Sequence, residues 1–118
     1  MNTVVTIDYI HSIHSSLEYD KRCMKGIRDL NLLQSAIEGQ QWFPDPVDQI
    51  IHVAYSICAN HVYNDGNKRT AFLTLKLLET KLNYICYWPE IAEIILELAT
   101  NSTQKDIFVQ NIKDNILI

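Results

Sequence analysis

The residues His61-Val62-Tyr63-Asn64-Asp65-Gly66-Asn67-Lys68-Arg69-Thr70-Ala71 hold more reactive chemistry than any other stretch of the chain. An imidazole that titrates near neutral pH can take the proton from an attacking hydroxyl, which makes His61 a candidate general base. Asp65 offers the hard oxygen ligand that holds Mg2+ against phosphate oxygens. Gly66 permits the positive φ of a tight turn, and Asn67, Lys68 and Arg69 then open a helical pattern whose first backbone N–H groups have no partner within the helix. Such a helix start attracts anions, and two cations on its first turn make phosphate the natural ligand. Lys68 and Arg69 are informative because a first turn ordinarily favours Asp or Glu, so cations there oppose the helix dipole unless a polyanion answers them. Each feature also has a plain structural reading, as a helix cap, a turn or a solvated charge pair. Their coincidence in this order is what points to chemistry on phosphate.

The elements that must present this segment read as helices. Apolar residues recur at three- and four-residue steps, and only 3 Gly and 3 Pro interrupt them, so the expected class is all-α: a compact bundle of about six helices. A first helix fits residues 6–18, with Thr6 as its cap and Ile7, Ile10, His14 and Leu17 on one stripe. A second fits residues 30–38, with Leu33 and Ile37 inward and Gly39 as its stop. A loop over residues 39–46 carries Trp42 and Phe43. Asp45 and Pro46 mark the start of a third helix running to about Asn60, and a polar loop, residues 61–66, separates it from a fourth over residues 67–82. The fourth is apolar around much of its circumference and is therefore expected at the centre. After an extended link at residues 84–88, Pro89 opens a fifth helix to about Ala99, and Thr103 with Asp106 caps a last one through Ile107, Ile112 and Ile116.

A length of 118 residues allows one domain, residues 1–118, and excludes a two-domain enzyme. The net charge of −4, with Lys and Arg scattered, argues against a nucleic-acid binder. Cys23, Cys58 and Cys86 form no C-x-x-C pair, which fits a reducing cytoplasm better than a disulfide framework. No signal-like segment and no apolar run near the ~18 residues of a membrane span is present, so the expected location is cytoplasmic. His11, His14 and His52 lack the companions of a metal set and are read as surface or half-buried histidines. Arg28 and Asp29 are read as an internal ion pair or a loop brace, in a motif that could also approach the active site.

The segment from His61 to Ala71 resembles the signature of the Fic/Doc family, and within it the Doc (death-on-curing) toxin branch, patterned H-x-F-x-D/N-A/G-N-K-R-T-A. His61, Asp65, Gly66, Asn67, Lys68, Arg69, Thr70 and Ala71 match, and Tyr63 stands where Phe is usual, as the aromatic that anchors the loop in the core. Upstream, Gly26-Ile27-Arg28-Asp29-Leu30 and Leu33-Gln34-Ser35-Ala36-Ile37 are similar to the G-x-R-D and L-x-S-A-L stretches of Doc-like chains, and the likeness tapers after Leu82.

The resemblance implies a helical Fic fold and transfer of part of ATP, with Mg2+, to a Ser or Thr hydroxyl of a protein. Its roles would be His61 as base, Asp65 as metal ligand, and Lys68 and Arg69 with Gly66 and Asn67 as the phosphate cradle. Fic adenylyltransferases carry Gly at the position of Lys68 and a second Arg at that of Phe72; both are absent here, which favours a Doc-type kinase over AMP transfer. A target-docking flap is implied at residues 39–46, with Gln41, Trp42 and Phe43 as its contacts, although the two aromatics could equally pack on the core. The only Glu-Gly, Glu38-Gly39, has Gln34 where the family's inhibitory pattern has Ser or Thr. Restraint would then come from a separate antitoxin partner, as for a type II toxin acting on a translation elongation factor. The other readings are a Fic-type adenylyltransferase and a catalytically decayed interaction module.

Overall fold

Each expected helix start draws on local chemistry, and most begin where that chemistry sits. A computed structural model describes residues 3–19 and 26–118; Met1, Asn2 and Cys23 lie outside the described residues. The helices are α1 (Ile7–Tyr19), α2 (Leu30–Gly39), a single 3-10 turn (Gln40–Trp42), α3 (Pro46–Ala59), α4 (Asn67–Leu75), the short α5 (Leu77–Thr80), α6 (Trp88–Asn101) and α7 (Lys105–Asp114). Six of these have nine residues or more, and among the described residues there is no strand, so the all-α bundle is the observed architecture. Thr6 Oγ1 accepts from Tyr9 N (3.1 Å), Asp29 caps α2 through Leu32 N (3.2 Å), and Asp45 caps α3 through Val47 N (2.9 Å).

The central helix is α3 rather than α4. Val47, Ile50, Ile51, Val53, Ala54, Ile57 and Cys58 are all buried along it, and α2, α4, α5, α6 and α7 pack around it. The fourth helix stops at Leu75, where the Lys76 N–H is shared between the carbonyls of Phe72 and Leu73 (3.2 Å each); this tightening separates the short α5. One cluster of buried side chains extends from Val5 through Leu33, Leu75 and Leu98 to Ile112.

Two further expectations fail for reasons of register and packing. Gly39 is not a left-handed stop: its φ of −62° continues the helix into the 3-10 turn. A glycine stands there because a Cβ would meet His52 Nε2 at 2.6 Å. Thr103 does not cap α7, whose N-cap is Gln104, and the buried face runs through Phe108 and Ile112 while Ile107 is 49% exposed. Phe108 and Ile112 are four residues apart and share a face; Ile107 lies about 100° round the helix. No helix among the described residues is long and apolar enough to cross a membrane.

Candidate active site

The last turn of α3 and the first turn of α4 open onto the same side of residues 60–66. Asn60 caps α3, its N–H donating to Ser56 O (3.1 Å), and His61 follows at φ +49°, a left-handed step that turns the chain off the helix and leaves the imidazole exposed. The loop is then clamped on two sides.

Residues 26–29 form one clamp. Arg28 N and Asp29 N both donate to Val62 O (2.9 and 3.1 Å), Asn64 N donates to Gly26 O (3.2 Å), and Ile27 bridges Tyr63 in antiparallel fashion. The Arg28 side chain donates through Nε to His61 O and through Nη2 to Asn60 O, both at 2.6 Å. With no basic residue in the last turn of α3, Arg28 brings from elsewhere the cation that a helix C-terminus favours. Of the readings of Arg28 and Asp29, the ion pair is not the one observed: Asp29 caps α2, Arg28 braces the end of α3, and their motif does approach the site through Val62 and Asn64.

His14 of α1 forms the other clamp. It is 2% exposed, not a surface or half-buried residue: its ring stacks on Tyr63 at 3.7 Å and 7°, Nε2 is 2.8 Å from Asp65 O, and Nδ1 is 2.9 Å from Glu18 Oε1. Glu18 Oε1 also accepts from Gly26 N (3.2 Å), so one carboxylate ties both clamps together. Tyr63 fills the anchoring role expected of it, being 2% exposed, although its hydroxyl finds no partner. Burial, reinforced by the Glu18 charge, pushes that phenol up to about 12.

Gly66 begins α4 at φ +80° and ψ +16°, with Thr70 N donating to its carbonyl (2.8 Å), and no side chain caps the helix. Asp65 Oδ1 accepts from Gly66 N (2.8 Å). The Asn67 side chain exchanges two 2.9 Å bonds with the backbone of Tyr63, so it holds the loop. His61, Asp65, Gly66, Asn67, Lys68 and Arg69 all line one largely polar cavity of ≈ 470 Å³, which brings the expected catalytic set together. Cys58 and Ala99 line it as well, and sequence periodicity marks them only as core. Burial, opposed in part by Lys68, pushes the Cys58 thiol up to about 11, so it is not a thiolate nucleophile at neutral pH. A second, apolar cavity of ≈ 460 Å³ between α1, α4 and α6 shares Lys68 and Arg69.

The donor set fits a magnesium–nucleotide. Nowhere among the described residues do three His, Cys, Asp or Glu side chains converge, so a cation here would take Asp65 plus ligand oxygens, which is how Mg2+ binds with phosphates. The uncapped start of α4 and the two cations beside it would answer the negative charge of such phosphates.

The flap expected at residues 39–46 does not adjoin this cavity. It precedes the N-terminus of α3, whereas His61 follows the C-terminus, and a helix of 14 residues at ~1.5 Å per residue separates the two by about 20 Å. Gln41 is exposed, Trp42 is 78% exposed, and Phe43 leans on the His52 ring (5.1 Å between centroids), with the Lys105 ammonium 5.0 Å from the Phe43 ring. The segment beside the motif is residues 26–29.

With that geometry in place, the comparisons with known proteins add one assignment. The model of the Fic/DOC family matches residues 4–78, from just before α1 into α5. Among curated proteins no relative matches the chain.

Proposed function

The chain belongs to the Fic/DOC family, whose members are typically transferases, and from that premise we propose that it is an ATP-dependent protein kinase modifying a Ser or Thr hydroxyl. The observation that carries this reading is the convergence of exposed His61, Asp65 and the uncapped, cation-bearing start of α4 on one polar cavity. The target hydroxyl oxygen bonds to the γ-phosphorus as the bond from that phosphorus to the β–γ bridging oxygen breaks. ADP leaves, and a ring nitrogen of His61 takes the hydroxyl proton. Lys68, Arg69 and the Asn67 backbone N–H bear the charge on the phosphoryl oxygens. Asp65 would hold Mg2+, which when bound draws charge from the phosphate oxygens.

Phosphate transfer is preferred to AMP transfer on two residues. Lys68 puts a cation where the adenylyltransferase pattern leaves bare glycine backbone. Phe72, at the position of that pattern's second arginine, is engaged elsewhere: it meets Trp88 edge-on at 5.6 Å, and Lys76 Nζ sits 4.0 Å over the Trp88 ring.

The same reading makes the protein a toxin of a type II toxin–antitoxin system, with a translation elongation factor as its target class. Its support is the placement of the one Glu-Gly pair, which among the described residues does not line the cavity. Glu38 and Gly39 lie before α3, at the end remote from His61, so this pair does not cover the cavity and restraint falls to an antitoxin bound in trans.

The test is incubation of the purified chain with host lysate, Mg2+ and ATP labelled in either the α- or γ-phosphate. A γ-label on one translation factor supports the proposal. An α-label makes the chain an adenylyltransferase, and no label from either makes it an interaction module with a decayed site.

A further inference from the structure

We propose that His14 is a positioning residue for the active site: by holding the Asp65 carbonyl, it fixes the Asp65–Gly66 peptide in the one orientation that aims the Asp65 carboxylate and the start of α4 into the cavity. The proposal rests on the kinase reading for its activity readout but not for its structural one.

A backbone carbonyl only accepts, so the His14 Nε2 lying 2.8 Å from Asp65 O carries its hydrogen and donates. In a trans peptide the carbonyl and the following N–H point in opposite directions. With the Asp65 carbonyl drawn inward to buried His14, the Gly66 N–H is turned outward, where it meets Asp65 Oδ1 at 2.8 Å. That bond helps set the direction of the side chain proposed as metal ligand. The need for an external hold is plain from Gly66 itself. Its φ of +80° and ψ of +16° are those of the third residue of a type II turn, and rotation of the preceding peptide converts such a turn into type I, which glycine accepts with little strain. Rotation would swing the carbonyl toward the cavity, beside the phosphates, and take the N–H away from Asp65.

His14 is itself held. Its Nδ1 is 2.9 Å from Glu18 Oε1, one helical turn along α1, and its ring lies flat on Tyr63 at 3.7 Å. Glu18 in turn accepts from Gly26 N (3.2 Å), at the edge of the segment that carries Arg28. A carboxylate beside one ring nitrogen steadies the ring, as outer partners do for metal-site histidines, and here the other nitrogen donates to a backbone carbonyl instead of binding a metal.

The experiment compares His14→Phe, which keeps a ring against Tyr63 and loses both polar contacts, with His14→Gln, which keeps a donor of similar reach. Expected for His14→Phe is a rise of about 10- to 100-fold in the Mg2+ concentration needed for half-maximal γ-phosphate transfer. In the magnesium-free protein the Gly66 amide resonance should move or broaden, while most other amides stay in place. His14→Gln should return both readouts most of the way to wild type. A His14→Phe protein with an unmoved Gly66 amide and wild-type Mg2+ dependence overturns the proposal, as does a His14→Gln protein no better than His14→Phe. If His14→Phe does not fold, His14→Gln with a wild-type Gly66 amide supports the donor role and a displaced one refutes it. The amide readout requires no catalysis, so it decides the role of His14 even if no transfer activity is found in the wild type.

Discussion

Replacing Arg28 with Met should cost stability and activity together, because one side chain closes the end of α3 and steadies the peptide of the candidate base. The guanidinium makes two bonds of 2.6 Å, to Asn60 O and His61 O. Bonds from a charged donor contribute ~1.5–3 kcal/mol each when buried. Both sit at exposed positions here, so water takes over the freed carbonyls and the pair contributes about 1–2 kcal/mol, including the cation at the helix end. At ~4 °C per kcal/mol for a chain of this size, Tm should fall by about 4–8 °C. Loss of the brace should also lower transfer by roughly tenfold, equivalent to ~1.4 kcal/mol of transition-state stabilisation. Arg28→Lys restores the charge without the two-pronged geometry and should recover about half of the Tm change. Thermal unfolding followed by circular dichroism, beside a labelled-ATP assay, reads both quantities. An Arg28→Met protein that melts with the wild type and transfers phosphate at the wild-type rate would show that the loop holds its shape without this residue.

Other perturbations test other parts of the structure. His61→Ala should abolish transfer while Tm and ATP binding measured by calorimetry stay near wild type, since the ring is exposed and only its backbone carries the loop; full transfer by this variant would rule out the base assignment. Burial first, and the Lys105 charge second, lower the His52 imidazole to about 4, against ~6.5 for the unfolded chain. Its contribution to stability is therefore complete above pH 6.5 and is lost as the pH falls toward 4, because in that window the unfolded chain binds the proton and the folded one does not. Discounted for partial solvent exposure, the loss is about 1–2 kcal/mol; Lys105→Met should raise the NMR titration midpoint of His52 and shrink it. Gly39→Ala should destabilise by about 1 kcal/mol in urea unfolding, where a helical glycine exchanged for alanine ordinarily gains about that much, because the new Cβ meets His52 at 2.6 Å.

What could be read from the chain alone follows how local each cause is. Asp45 and Pro46 punctuate α3 by themselves, and the motif from His61 to Arg69 is contiguous, so both are visible in one dimension. His14 falls on the apolar stripe of α1, yet its task is set by a carbonyl 51 positions away. Arg28 is likewise explained only by carbonyls 32 and 33 positions downstream. Gly39 looks like a stop until His52 is seen packed against it. The resemblance implies a flap at residues 39–46, but α3 holds that segment away from the motif while residues 26–29 return to it. The sequence alone does not choose the face of α7, because Ile107 and Phe108 are both apolar and only packing on α3 and α6 selects Phe108.

The clamps around residues 61–65 also bear on how the protein reaches its working state. Helical turns form within microseconds from neighbouring residues, whereas His14 must find Asp65 and Arg28 must find His61 by closing long stretches of chain. During refolding, recovery of helical signal should therefore run ahead of recovery of transfer activity. A nascent or partly unfolded chain would hold the complete signature without its geometry, so that the site is complete only with the final, cooperative docking of the N-terminal third.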